Sequence, residues 1–136
     1  MLGEKLKKIK SILLVDDDPI TNFINHNLIK RLSIAETIAV KHNGYEALQY
    51  IETQSGPDKY PDLIFLDINM PVMNGFEFLE TFQNTTLPEK EKIKIIILSS
   101  SISPKDLKKI KFFNVELISK PLKSQDLLSI INKIYP

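Results

Sequence analysis

The sequence predicts an α/β fold with a doubly wound, five-stranded parallel sheet and helices on both faces. Two observations predict it: five short apolar runs alternate with five segments of helical apolar spacing, and most of the apolar runs end abruptly on polar side chains. Near-continuous apolar strands are typical of parallel sheets that are covered on both faces. Right-handed crossovers place the carboxyl ends of such strands along one edge, so we expect those polar side chains to meet there.

Composition fits one globular domain. The chain has 136 residues, 43% of them hydrophobic, and no cysteine, which excludes disulfides and thiolate metal sites and suits a reducing compartment. The first ten residues, MLGEKLKKIK, are basic but lack the apolar core of a signal peptide. No apolar run approaches the ~20 residues of a membrane span. We expect a cytoplasmic, soluble protein without membrane insertion, formed by a basic extension over residues 1–10 and one domain over residues 11–136.

Charge gives little reason to expect a nucleic-acid partner. The formal net charge is only +1, although lysines cluster at the amino terminus and between Lys105 and Lys111. A solvated helix face explains the second cluster better than a phosphate-binding surface does.

The first strand is predicted over Ser11 to Val15, and three consecutive acids at positions 16–18 follow it. Asp18 stands in the helix N-cap position and Pro19 in the first helical position. The helix is predicted to run to about Leu32. Its apolar residues at helical spacing are Ile20, Phe23, Ile24 and Leu28.

A weaker strand is predicted over Thr37 to Val40, and Asn43 with Gly44 forms a turn into the second helix. A loop from Thr53 to Pro61 leads to the stretch LIFLDINMPVMNG, in which an apolar run ends on the single carboxylate of Asp67. The apolar residues of the second helix are Ala47, Leu48 and Ile51.

The third helix follows Gly75 and is succeeded by a polar loop from Asn84 to Glu91. The most apolar strand, Ile93 to Leu98, ends on Ser99 to Ser101. The inward-facing residues predicted for the third helix are Phe76, Leu79 and Phe82.

The fourth helix is predicted to start at Ser103, because Pro104 and the capping-box acid Asp106 follow it. A short strand, Val115 to Ile118, ends at Ser119 to Pro121, and a final helix closes the domain. Apolar spacing in these two helices comes from Leu107, Ile110, Phe113, Leu127, Leu128, Ile131 and Ile134.

The predicted strand ends carry Asp16, Asp17, Asp67, Ser99 and Lys120. Two carboxylates about 4 Å apart repel by ~4 kcal/mol at an effective dielectric constant near 20, so such a cluster needs a cation or raised pKa values. A site with oxygen ligands only favours Mg²⁺. A phosphoryl group on Asp67 would be neutralised by Mg²⁺ and Lys120 and would accept a hydrogen bond from Ser99. The pattern therefore indicates an aspartate that accepts phosphate.

Four motifs resemble those of response regulator receiver domains of two-component signalling, the family of the chemotaxis protein CheY. They are LLVDDD ending at Asp18, LIFLDINMPVMNG around Asp67, IIILSS ending at Ser100, and SKP at residues 119–121. Each motif alone is weak, but the four occur in the family's order over essentially the whole chain. The resemblance implies a flavodoxin-like (βα)₅ fold.

The resemblance also implies roles for individual residues. By position, Asp67 is the phosphorylated residue and Asp17 binds Mg²⁺ directly. Asp16 helps to bind the metal, partly through water, and Asn69 lends its backbone carbonyl.

Further positions follow from the same resemblance. Ser99 would be the switch hydroxyl, Lys120 would hold a phosphoryl oxygen, and the bond before Pro121 would be cis. Leu117 stands where receivers commonly carry Tyr or Phe, which argues against an output surface that works by burying an aromatic ring.

By this resemblance the chain is a signalling protein, with at most slow self-dephosphorylation as enzyme activity. It would accept a phosphoryl group from a sensor histidine kinase or a histidine phosphotransfer protein and signal to a further protein by a change of conformation. Two alternatives stay open. One is a phosphate-independent docking scaffold, and the other is a haloacid-dehalogenase-type phosphohydrolase, because Asp16 and Asp18 imitate its D-x-D motif.

Overall fold

The computed structural model of the chain describes residues 9–134, in which five strands alternate with five helices. The strands are β1 (Ile9–Val15), β2 (Ala35–Lys41), β3 (Leu63–Leu66), β4 (Lys94–Ser99) and β5 (Glu116–Ser119). The helices are α1 (Pro19–Leu32), α2 (Gly44–Glu52), α3 (Gly75–Asn84), α4 (Pro104–Phe113) and α5 (Ser124–Ile134). Two short 3₁₀ helices, Pro57–Lys59 and Lys90–Lys92, lie between α2 and β3 and between α3 and β4.

All five strands are parallel and form one sheet in the order β2-β1-β3-β4-β5. This confirms the predicted fold class. The strand bounds agree with the predicted ones to within two residues. At β1, for example, the strand begins at Ile9, whose amide donates a hydrogen bond of 2.7 Å to the carbonyl of Ile34. Residues 1–8 of the predicted basic extension lie outside the described residues.

Helices cover both faces of the sheet. Alternate strand residues such as Leu13 and Ile64 pack with α2, α3 and α4 on one face. Their neighbours, such as Ile12 and Phe65, pack with α1 and α5 on the other. Strands buried on both faces explain why they read as continuous apolar runs.

Local capping residues set the helix starts. The Asp18 carboxylate accepts a hydrogen bond of 3.0 Å from the amide of Ile20, which confirms it as the N-cap of α1. Ser103 and Asp106 form the predicted capping box at the start of α4. A second box, Asn74 with Glu77, begins α3 directly after the loop that follows Asp67.

The apolar residues that predicted α1 are mostly not the ones that it buries. Ile20, Phe23 and Ile24 are 67%, 66% and 55% exposed. The buried residues of this helix are Asn22, Asn25, Leu28 and Ile29. The spacing therefore predicted the helix but not the direction in which its amino-terminal half faces.

None of the helices between residues 9 and 134 has both the length and the apolar character needed to cross a lipid bilayer.

Candidate functional site

The sheet register brings the ends of β1 and β3 side by side. Val15 and Leu66, the last residues of these strands, are paired, and the amide of Asp67 donates a hydrogen bond of 2.9 Å to the carbonyl of Val15. Asp16 and Asp67 therefore follow directly on paired positions. Two acids that are 51 residues apart in sequence meet at the carboxyl edge of the sheet.

Asp16 is held by hydrogen bonds from several directions and is only 5% exposed. Its Oδ1 accepts a hydrogen bond of 2.9 Å from the amide of Asp18, and its Oδ2 accepts one of 2.8 Å from Nζ of Lys120. Its own amide donates to the carbonyl of Lys41 at 3.1 Å. The side chain is therefore fixed in one orientation.

Asp67 is 9% exposed, and its carboxylate is less well compensated. Its Oδ1 accepts a hydrogen bond of 2.9 Å from the amide of Ile68 and lies 3.5 Å from Nζ of Lys120. Burial raises the pKa of Asp67 above its usual range, and the nearby charge of Asp16 raises it further, whereas Lys120 offsets only part of this effect. The neighbouring groups thus compensate only part of the cost of the negative charge on ionised Asp67.

Lys120 supplies the positive charge that the site has. It follows β5, and its amide donates a hydrogen bond of 2.9 Å to the carbonyl of Ser99 on β4. Burial alone would lower the pKa of Lys120, but the hydrogen bond and charge of Asp16, with the charge of Asp67, outweigh it and raise the pKa above its usual range. The lysine is therefore protonated at neutral pH. The bond between Lys120 and Pro121 is cis.

Asp16, Asp17 and Asp67 form a group that could hold a metal ion. One carboxylate oxygen from each lies within 4.8 Å of the other two. Asp17 is exposed at the open side of the site, whereas the other two acids are buried. Three anionic oxygens beside one lysine leave an excess of negative charge, so the donor set fits a hard divalent cation.

The structure also places the remaining predicted site residues. Ser99 is buried at the end of β4, and its hydroxyl donates a hydrogen bond of 3.1 Å to the carbonyl of Ser101. Asn69 is exposed, two residues after Asp67. Leu117 pairs with Ile97 in the sheet and packs, partly buried, against the core under α2, α3 and α4.

Gly75 has a role that the sequence indicated only as a turn. A Cβ atom at this position would lie 2.4 Å from the carbonyl oxygen of Asp67 and 3.0 Å from Cα of Ile68. The Gly75 amide donates a hydrogen bond of 2.8 Å to the carbonyl of Ile68. The backbone of α3 therefore packs directly against the backbone that carries the site, and a side chain would separate them.

Sequence reasoning also missed two buried amides on α1. Asn22 and Asn25 face the sheet next to the acidic strand ends, and Nδ2 of Asn22 donates a hydrogen bond of 2.8 Å to the carbonyl of Asp16. Their spacing of three residues places them on one helix face. The apolar residues beside them gave the stronger periodic signal and concealed this face.

Comparison with known proteins agrees with this architecture. The response regulator receiver domain family matches residues 12–132. The crystal structure of a two component response regulator from Cytophaga hutchinsonii is 35% identical, with a TM-score of 0.85, and the match covers 95% of this chain and 98% of that one. The receiver domain of a sensor histidine kinase from Pseudomonas aeruginosa PAO1 is described with a magnesium ion coordinated in its active site cleft. It is 21% identical to this chain, with a TM-score of 0.75, and the match covers 91% of this chain and 95% of that one. At this level of identity the similarity supports the fold.

Among curated proteins, the protein-glutamate methylesterase/protein-glutamine glutaminase of Desulfotalea psychrophila is 35% identical over 111 residues. The match covers 81% of this chain but only 29% of that protein. The similarity is therefore to one part of a longer relative. The family match spans the sheet together with the strand ends that carry the acids and the lysine, and the chain therefore belongs to the response regulator receiver domain family of two-component signalling.

Proposed function

We propose that this receiver accepts a phosphoryl group on Asp67 from a phosphohistidine of a sensor histidine kinase or a histidine phosphotransfer protein. The observation that carries the proposal is the environment of Asp67. Its carboxylate lies at a strand end, 3.5 Å from a protonated lysine and in one group with two further acids. Such a site attracts a cation. The cation and the lysine together can then bind phosphoryl oxygens.

In the proposed step, a carboxylate oxygen of Asp67 attacks the phosphorus of the phosphohistidine. A P–O bond forms, the P–N bond breaks, and the imidazole nitrogen leaves with the bonding electrons. The product on this chain is an acyl phosphate. Oδ2 of Asp67 is the oxygen suited to the attack, because Oδ1 already accepts a hydrogen bond from Ile68 and no residue among 9–134 donates one to Oδ2.

Asp16, Asp17 and Asp67, with the backbone carbonyl of Asn69, are the groups that would hold Mg²⁺. Two features of the donor set support this ion: three carboxylate oxygens lie within 4.8 Å of one another, and all of the proposed ligands are oxygen atoms. When bound, Mg²⁺ neutralises charge on the carboxylates and on phosphoryl oxygens. Lys120 does the same from its own side of Asp67.

Ser99 would report the phosphoryl group. Its hydroxyl donates to the carbonyl of Ser101, so a hydrogen bond to a phosphoryl oxygen requires that this contact break. The loop before α4 would then move with the hydroxyl. We propose that this shift, extending to the partly buried Leu117, changes the surface of α4 and β5 that a downstream protein contacts.

The exposed apolar face of α1 is where we propose that the phosphohistidine donor docks. Ile20, Phe23 and Ile24 lie within the first two turns after the acidic residues and point to solvent. A donor must bring its histidine to Asp67, so its contact surface has to adjoin this edge of the sheet. An apolar patch in that place suits a protein partner.

The test is intact mass after incubation with acetyl phosphate and Mg²⁺, for the wild type, for Asp67→Asn and for the wild type in EDTA. We expect one added phosphoryl group in the wild type only. The absence of an adduct in the wild type, under conditions that phosphorylate another receiver, would contradict the proposal and favour a docking scaffold. Release of phosphate from small phosphoesters over many turnovers would instead favour a phosphohydrolase.

A further inference from the structure

The amino-terminal half of α1 buries two amides beneath the acidic strand ends. Asn22 and Asn25 are each only 5% exposed. Burying an amide without a hydrogen-bond partner costs roughly 1–3 kcal/mol, and an apolar side chain would avoid that cost. A helix that turns amides toward the site and phenylalanine toward solvent therefore needs an explanation in the surroundings of those amides.

The two ends of the Asn22 amide differ. Nδ2 donates a hydrogen bond of 2.8 Å to the backbone carbonyl of Asp16. Since a carbonyl only accepts hydrogen bonds, the nitrogen must be the atom that faces it. Oδ1 then remains fully buried, and no residue in the range 9–134 donates to it. A hydrogen-bond donor is required at this point.

A small cavity lies next to this amide. Its polar lining comes from Asp16, Asn22, Asn25 and Asp67, and its apolar lining from strands β1, β3 and β4. The volume within this cavity that the centre of a water molecule can occupy is about 10 Å³. That is close to the least volume that holds one water molecule, and the lining provides the two to four polar partners that a buried water needs. A hydrated cation or an organic ligand is too large for this space.

We propose that this cavity binds one internal water molecule and that Asn22, through this water and through its bond to Asp16, positions the acidic strand end for cation binding. The water would donate one hydrogen bond to Oδ1 of Asn22, and Asp16 and Asp67 are the other charged residues that line its cavity. Asn22 is thus a positioning residue that acts through Asp16. The second half of the proposal rests on the Mg²⁺ site proposed above, whereas the water site does not.

The test compares Asn22→Leu with the wild type. Leucine has the same branching at Cγ and the same number of side-chain heavy atoms as asparagine, although its methyl groups are bulkier, and it neither donates nor accepts a hydrogen bond. Asn27→Leu is the matched control, because it makes the same change at an exposed position of the same helix. Long-lived internal waters are counted by ¹⁷O magnetic relaxation dispersion in EDTA, and the Mg²⁺ dissociation constant is measured separately by NMR titration.

We expect Asn22→Leu to lose one long-lived water and to bind Mg²⁺ about 10-fold more weakly, as is typical when an outer-shell partner of a metal ligand is removed. Asn27→Leu should match the wild type in both measurements. Asn22→Ser retains a polar group and leaves room for water, so it should bind Mg²⁺ more tightly than Asn22→Leu does. If Asn22→Leu does not fold, Asn22→Ser is compared with the wild type in the same two measurements.

An unchanged water count in Asn22→Leu would overturn the water site. Loss of the water with Mg²⁺ affinity within twofold of the wild type would overturn the positioning role. A wild type that keeps the water but binds no Mg²⁺ would support the water site and contradict both the positioning role and the proposed metal site. Failure of the water site and failure of the proposed function are thus distinguishable.

Discussion

Asp67 occupies a position where its negative charge is unfavourable unless a cation adds to the positive charge of Lys120. Burial raises its pKa above the ordinary value of 3.8, and Asp16 adds to this effect. The folded chain therefore binds this proton more tightly than the unfolded chain does. The stability that this difference contributes is complete at pH values below 3.8 and is lost as the pH rises through the folded-state pKa.

Asp67→Asn should accordingly stabilise the protein at pH 7 in EDTA, because the neutral amide removes an unfavourable buried charge. The advantage should shrink as the pH falls through the folded-state pKa and vanish near or below 3.8. Urea unfolding between pH 3 and 8 would measure it. Asp58→Asn, at an exposed carboxylate far from the site, is the control. An advantage for Asp67→Asn that does not depend on pH would contradict this account.

Gly75→Ala should displace the backbone of Asp67, because the added Cβ would lie 2.4 Å from its carbonyl oxygen. We expect a loss of about 1–3 kcal/mol in the free energy of unfolding, as for other overpacked sites, together with slower phosphorylation by acetyl phosphate. Gly56→Ala is the matched control, since its Cβ would meet only a side-chain oxygen of Asp58, at 3.2 Å. Equal effects of the two substitutions would argue against backbone displacement.

At the scale of secondary-structure elements, α1 carries the proposed donor-docking surface on one side and contacts the acidic site on the other. Its capping residue Asp18 directly follows Asp16 and Asp17, and Asn22 bonds to the carbonyl of Asp16. Its apolar residues Ile20, Phe23 and Ile24 face solvent. One helix thus connects the proposed donor-docking face with the proposed acceptor site.

Phe23→Ser should slow phosphotransfer from a phosphohistidine donor protein at least several-fold and leave phosphorylation by acetyl phosphate unchanged, because only the protein donor needs the apolar face. Phe112→Ser removes a ring of similar exposure from α4 and is the control. Rates would be measured by radiolabel transfer from the donor. Equal rates for Phe23→Ser and the wild type with the protein donor would place the docking surface elsewhere.

The carboxyl end of α1 holds a serine in a conformation that favours glycine. Ser33 has φ 55° and ψ 39°, in the left-handed region, and caps the helix. A side chain in this region costs about 1–2 kcal/mol, which glycine avoids. Ser33→Gly should therefore raise the free energy of unfolding by roughly 0.5–1 kcal/mol in urea titrations.

Asn114 caps α4 with φ 55° and ψ 47° and provides the comparison for Ser33→Gly. Asparagine tolerates the left-handed region, so Asn114→Gly should gain less. A smaller gain for Ser33→Gly than for Asn114→Gly would show that conformational strain at Ser33 is not the cause.

For the whole molecule, the close carboxylates at the edge of the sheet are unfavourable for stability. The hydrophobic core on both faces of the sheet offsets this cost. The clusters around Phe78 and Phe65 fill the space under the helices on opposite faces and bring β1, β3 and β4 into register. That register holds three carboxylates within 4.8 Å of one another. Anything that neutralises them should therefore stabilise the entire fold.

Mg²⁺ should raise the unfolding midpoint of the wild type, with a gain of about 1.4 kcal/mol at ten times its dissociation constant. Asp17→Ala should remove most of this gain, and EDTA should reverse it. Thermal unfolding at constant ionic strength, with Na⁺ balancing the charge, measures the effect. The same gain in Asp17→Ala as in the wild type would indicate nonspecific screening.

Much of the fold was predictable because its signals are local. Apolar runs indicated all five strands, the second one more weakly than the others, and the capping residues Asp18 and Ser103 indicated helix starts. Strand bounds were less predictable, because Ile9 and Ala35 join the sheet through pairing with each other. The face that α1 buries was not predictable from apolar spacing, because two of the four residues that it buries are the amides Asn22 and Asn25.

The sequence by itself determined the order of strands and helices, the polar residues at the strand ends and the family, because burial pattern and turn chemistry are properties of short segments. Only the tertiary structure decided that Lys120 bonds to Asp16 at 2.8 Å, lies 3.5 Å from Asp67 and reaches both across 104 and 53 residues of chain. It also decided that Gly75 touches the backbone of Asp67, that the Ser99 hydroxyl faces Ser101, and that two amides lie beneath the acids. These contacts join segments that are distant in the chain, and their distances follow from sheet register and core packing acting together.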